Sequence, residues 1–166
     1  MSLNSLKDVY IDQMQDIYSA NMQSAKVTQK LADAAKNAEL KQALQAGVEG
    51  IEQGKEKLKK LIEGHGADPE GEHCKGMEGL VKEAQAHALD EEFGDDDVRD
   101  AMIVTQYQRM VHYGIAGYGC LKAFANRLGL DDEARQHDEM LSATYDGDSH
   151  MNDLATGGIN AAAAAS

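Results

Sequence analysis

Apolar residues recur every three to four positions along most of this chain, the spacing of an α-helix that buries one face. Behind Ser5, a good N-cap residue, the stripe Tyr10, Met14, Ile17, Asn21, Ala25, Thr28, Ala32, Ala35 holds for about seven turns. Asn37 is placed to cap a second helix carrying Leu40, Leu44, Gly47, Ile51, Gly54, Leu58 and Leu61 on one face. Gly64-His65-Gly66 followed by Pro69 stops it. Residues 66–75 read as loop and 76–90 as a shorter helix. A run of acids follows, in which Asp95–Asp97 suit the N-terminus of the next helix. That helix runs from about Val98 to Leu128 and ends at Gly129. The last begins at Asp131 or Asp132, carries Ala134, His137, Leu141, Thr144, Asp148 and Met151 on one face, and is expected to stop at Gly157-Gly158.

The four long segments therefore form two helical hairpins with tight turns near residues 36 and 130. A helix of about 28 residues is about 42 Å long. The connector between the hairpins is long enough to run back along such a length. This predicts an all-α, ferritin-like four-helix bundle with one long crossover that carries a short fifth helix. Residues 1–156 are expected to make the helical domain, and the Gly/Ala-rich 157–166 a flexible tail.

Composition narrows the partners. Sixteen Lys and Arg against twenty-nine Asp and Glu give a net charge of −13, the wrong balance for holding nucleic acid or an anionic membrane. No run is long and apolar enough to span a bilayer, and the N-terminal residues carry no basic and apolar leader pattern. With two unpaired cysteines, Cys74 and Cys120, the expected location is the reducing cytoplasm.

Bundles of this topology hold two metals when each of two helices projects a Glu and each of the others a Glu-x-x-His. Here the only Glu-x-x-His is Glu70–His73, in the loop beside Pro69. The inward positions hold Asn21 on the first helix, Gly47, Gly50 and Gly54 on the second, and Thr144 and Asp148 on the last. A standard di-iron centre is not expected.

Several motifs resemble the YciE/YciF group of bacterial stress-associated ferritin-like proteins. They are SLKDVYIDQMQDIYSA (Ser5 to Ala20), NAELKQA (Asn37 to Ala43), HCKGMEGL (His73 to Leu80), VRDA (Val98 to Ala101) and QRMVHYGIAGYGCL (Gln108 to Leu121). The resemblance implies a helical ferritin-like fold, a homodimer and a metal between the helices. It also implies ligand positions, and most are changed. The Glu after the YSA motif is Asn21. The His-Leu-Glu-Glu-Thr of the second helix is Gly47-Val48-Glu49-Gly50-Ile51, and the next inward ligand is Gly54. The Glu residues flanking His112-Tyr113 are Val111 and Gly114, and those of the last helix are Ala143 and Thr144.

Losing a ligand requires only Ala, yet glycines stand at 47, 50, 54, 114, 117 and 119. Each costs about 1 kcal/mol relative to Ala inside a helix. Three accounts compete. The glycines let helices approach, with Tyr107 or Tyr145 filling the remaining gap. Or they open a cavity for a flat or elongated organic ligand, lined by Asn21, Gly47, Gly50, Gly54, Met110, Tyr113, Gly114, Gly117 and Thr144. Or a nonstandard metal site uses Asp16, Glu49, His112 and Asp148, with Tyr113 beside them, for oxidase or peroxidase chemistry. The favoured expectation is a non-enzymatic structural or ligand-binding protein that has lost its di-metal carboxylate site.

Overall fold

The structure, a computed structural model, describes residues 3–166. The first two residues of the expected 1–156 domain lie outside the described residues. The long helices are α1 (Leu6–Ala34), α2 (Ala38–Gly64), α4 (Asp96–Leu128) and α5 (Asp131–Leu154). The crossover carries α3 (Lys75–Ala84), and α6 (Asn160–Ala165) ends the chain. Among the described residues there is no strand, and no helix is long and apolar enough to cross a membrane.

Most boundaries fall where local chemistry places them. Ser5 accepts the Asp8 amide at 3.1 Å and Asn37 the Leu40 amide at 3.0 Å, each satisfying a free donor of the first turn. Asp95 does the same for α4, accepting the Asp97 amide at 2.8 Å. Gly129 closes α4 at φ 71°, a left-handed conformation that suits a residue without Cβ. The tight α1–α2 turn is held from outside by Asp100 of α4. Its buried carboxylate accepts the amides of Lys36 at 2.9 Å and Asn37 at 2.7 Å.

Three local features depart from the sequence reading. Cys74, expected in a loop, is the N-cap of α3: its sulfur accepts the Met77 amide at 3.3 Å. The short helix does not run unbroken to residue 90, because Gln85–Asp90 form a π-helical turn. Gly157 and Gly158 do not terminate α5. They sit in a second π turn, Ala155–Ile159, and the helix resumes as α6. The supposed flexible tail is thus helical in Asn160–Ala165, and Ile159 is buried, so this end of the chain docks beside α4.

The four long helices form a ring, α1 beside α2 and α4, and α5 beside α4 and α2. α3 packs on both α1 and α4 and covers that side of the ring. The α2–α5 side carries no covering helix and is the least closely packed of the four neighbouring pairs. The core divides in two along the bundle axis. One half gathers Leu31, Leu40, Leu44, Ile103 and Met151, and the other Met14, Leu58, Ile62 and Leu121. The N-terminal ends of α2 and α4 share one half and their C-terminal ends the other, so these helices run parallel and the crossover must return the full bundle length.

Candidate functional site

Between the two core halves the inward stripes turn small and polar. α1 supplies Asn21, Ser24 and Thr28 there, α2 supplies Gly47, Gly50 and Gly54, and α4 supplies Gly114. These residues surround a cavity of about 800 Å³. Its mouth lies between α2 and α5, among the exposed residues Gln42, Ala46, Gly50, Ala143 and Gly147.

Two tyrosines of α4 cross the bundle at the cavity and explain two of the glycines. A Cβ at Gly47 would overlap the Tyr107 hydroxyl. A Cβ at Gly54 would stand 2.6 Å from the Tyr118 hydroxyl and 3.3 Å from the Asn21 amide nitrogen. The two tyrosines are eleven positions apart, about 16 Å along the helix. Gly114 lies between them, where a Cβ would meet only Thr144 Cγ2 at 3.9 Å. At Gly50 a Cβ would meet nothing within 4 Å. The glycines therefore divide: two receive phenols, and two border empty space. Tyr145 fills no gap; it is an exposed residue. Gly117 does not line the cavity. Its missing Cβ is replaced by Ile17, whose Cγ1 would lie 2.8 Å away, so this glycine serves packing. Nothing in the structure explains Gly119.

The polar atoms at the cavity are unevenly satisfied. Ser24 donates to the Asn21 carbonyl at 3.3 Å and Thr144 to the Met140 carbonyl at 2.7 Å. Asn21 Nδ2 donates to the Tyr118 hydroxyl at 2.7 Å. The Thr28 hydroxyl is fully buried on the cavity wall with no partner among the described residues. Burial pushes the Tyr107 and Tyr118 hydroxyls up to about 12, so both keep their protons across ordinary pH. The polar groups on the floor are thus an amide, hydroxyls and phenols. Carboxylates enter only at the rim, as Glu39 and as Glu139, which pairs with Lys57 at 3.3 Å.

Of the alternative metal residues Asp16, Glu49, His112 and Asp148, the structure brings together only His112 and Asp148. His112 pairs with Asp148 at 3.1 Å, and Asp148 also accepts from Gln108 Nε2 at 3.1 Å. Asp16 accepts from the Tyr113 hydroxyl at 2.8 Å, and Tyr113 O in turn accepts the Cys74 thiol at 3.0 Å. Glu49 is exposed on α2. Among the described residues, no three His, Cys, Asp or Glu side chains are grouped to hold a metal. The donor set described at the waist, an amide, hydroxyls and phenols, does not fit a di-metal centre.

A second polar cluster, at the end of the bundle where α1, α2 and α5 meet, was not anticipated from sequence. The Tyr10 hydroxyl lies 2.7 Å from both Glu133 Oε2 and His137 Nε2, and His65 Nε2 lies 3.0 Å from Glu133. His137 is fully buried with Nδ1 unpartnered. Burial lowers its pKa to about 4, against the opposing pull of Glu133.

The profile of a family described as a domain of unknown function, DUF892, matches residues 5–164. The chain belongs to this family. It is 32% identical over 161 residues to Protein YciF of Escherichia coli strain K12, an alignment covering 96% of both chains. Solved structures are similar as well. The E. coli stress protein YciF superposes with a TM-score of 0.85 at 31% identity, covering 95% of this chain and 98% of that one. YcfI of Rhodopseudomonas palustris, described provisionally as a structural protein, superposes with a TM-score of 0.84 at 32% identity, covering 91% and 95%. The ferritin-like expectation and the YciE/YciF resemblance agree with these matches.

Proposed function

We propose that this DUF892 member is a non-enzymatic small-molecule-binding protein in which the metal-bearing waist of a ferritin-like bundle has become an organic-ligand cavity. The observation that carries the reading is the cavity of about 800 Å³ between α2 and α5, bordered by glycines that no side chain fills. It falls within the usual range for ligand sites, about 300–1,000 Å³. Its floor is apolar with a few polar groups, and Ala46, Gly50, Ala143 and Gly147 keep its mouth open. The relative named a stress protein supports a role in stress, and the same proposal includes a cytoplasmic homodimer. An iron-dependent oxidase reading is less favoured, because of its four residues only His112 and Asp148 share a contact.

Native mass spectrometry of the purified protein, paired with Fe(II) titration in air, tests the reading. The expected result is a dimer that carries or takes up an organic molecule and gives no ferric band. The Gly50→Leu variant, which places a side chain at the mouth, should bind at least tenfold more weakly while remaining folded. Stoichiometric iron with a rising near-ultraviolet ferric absorbance would overturn the proposal.

A further inference from the structure

The cavity also carries information about what it takes, and this inference rests on the ligand-binding reading above. Hydroxyl protons without acceptors stand at both ends of it. At one end the Thr28 hydroxyl is fully buried with no partner, and the Tyr107 hydroxyl makes no hydrogen bond among the described residues. At the other, Tyr118 receives the Asn21 amide, so the phenol's own proton has no acceptor there. Thr28 and Asn21 are two turns apart on α1, about 10 Å. Buried donors without acceptors are costly, and a ligand acceptor relieves that cost.

Charge excludes a large class of acceptors. The one Lys or Arg on the cavity, Lys57, is bonded to Glu139, and Glu39 adds a further negative charge at the rim. The chain carries −13 overall. Among the described residues at this mouth, a carboxylate or phosphate would meet like charge with no unpaired Lys or Arg to receive it, and only the exposed His150 imidazole to offset the repulsion.

We infer that the cavity takes a neutral, mainly apolar molecule bearing acceptor oxygens near both ends, of the diketone or quinone class, held between the Thr28–Tyr107 and Asn21–Tyr118 stations.

Four probes of similar size test this by isothermal titration calorimetry. Duroquinone is neutral, carries an acceptor oxygen at each end and has no free ring position for the exposed Cys120 thiol to attack. Durene has the same methylated ring without oxygens, durohydroquinone has hydroxyls in their place that donate and accept only weakly, and 4-tert-butylbenzoate is an anion. Duroquinone should bind at least tenfold more tightly than the other three. The Thr28→Val and Tyr107→Phe variants should each weaken duroquinone by about tenfold and leave durene unchanged. Durene or the benzoate binding as tightly as duroquinone would overturn the ligand class and leave the cavity reading standing. So would variants that do not discriminate between duroquinone and durene. Binding of none of the four would overturn both readings.

Discussion

At the scale of single residues, the glycines that look alike in sequence do opposite things. Gly117 makes room for a buried isoleucine, whereas Gly50 faces open space at the cavity mouth. Gly50→Ala should therefore raise stability by about 1 kcal/mol, the helix-propensity difference. Gly117→Ala should lower it by about 1–2 kcal/mol, because overpacking against Ile17 outweighs the same gain. Urea denaturation midpoints of the two variants check both signs. The cysteines divide similarly. Cys74 is buried, its thiol is pushed up chiefly by that burial, and it is held between Tyr113 and the start of α3. Cys120 is exposed. An aromatic disulfide reagent should label one thiol per chain quickly in the native protein and the second only on unfolding.

At the scale of elements, what could be read from sequence was what local chemistry decides. Ser5, Asn37 and Asp95 cap the helices they precede, and Gly129 closes the one it follows, because each acts on backbone a few residues away. The last helix was misread for the complementary reason. A pair of glycines signals a stop when only neighbours are considered. Here Ile159 finds a site in the core half formed by Ile103 and Met151, and that burial carries the chain through the π turn. Ile159→Ala should accordingly cost about 2 kcal/mol, visible as a lowered thermal midpoint by circular dichroism. A mobile tail would show no change. The cavity was legible in outline, since Asn21, Gly47, Gly50, Gly54, Gly114 and Thr144 do surround it. Tyr107 was legible as a filler of the gap the glycines leave; the Tyr118 phenol reaching Gly54, the isoleucine filling Gly117 and the orphaned Thr28 hydroxyl were not. Each depends on the relative rotation of helices distant in sequence, which periodicity alone does not fix.

At the scale of the whole molecule, acidity and the buried end cluster set the response to pH. His137 is fully buried, and the groups facing it are Tyr10 and Glu133, with His65 behind Glu133. Its folded-state pKa, about 4, lies below the ordinary 6.5. The unfolded chain therefore binds this proton first, and stability falls with pH from about 6.5 down through about 4. The full effect is roughly 3 kcal/mol. Thermal midpoints measured across that window should fall less steeply for His137→Leu, which cannot take up the proton, than for the parent protein. An identical slope in the two proteins would contradict this assignment.

The division of the core has a mechanical consequence. Two dense half-cores are joined across the waist by four helices and by Tyr113, which packs on both halves and ties α1 to α3 through Asp16 and Cys74. Densely packed halves resist compression, and a void between them does not. Hydrostatic pressure should therefore act first at the middle of the molecule, drawing α2 and α5 together, while a bound guest would stiffen the same region like a strut.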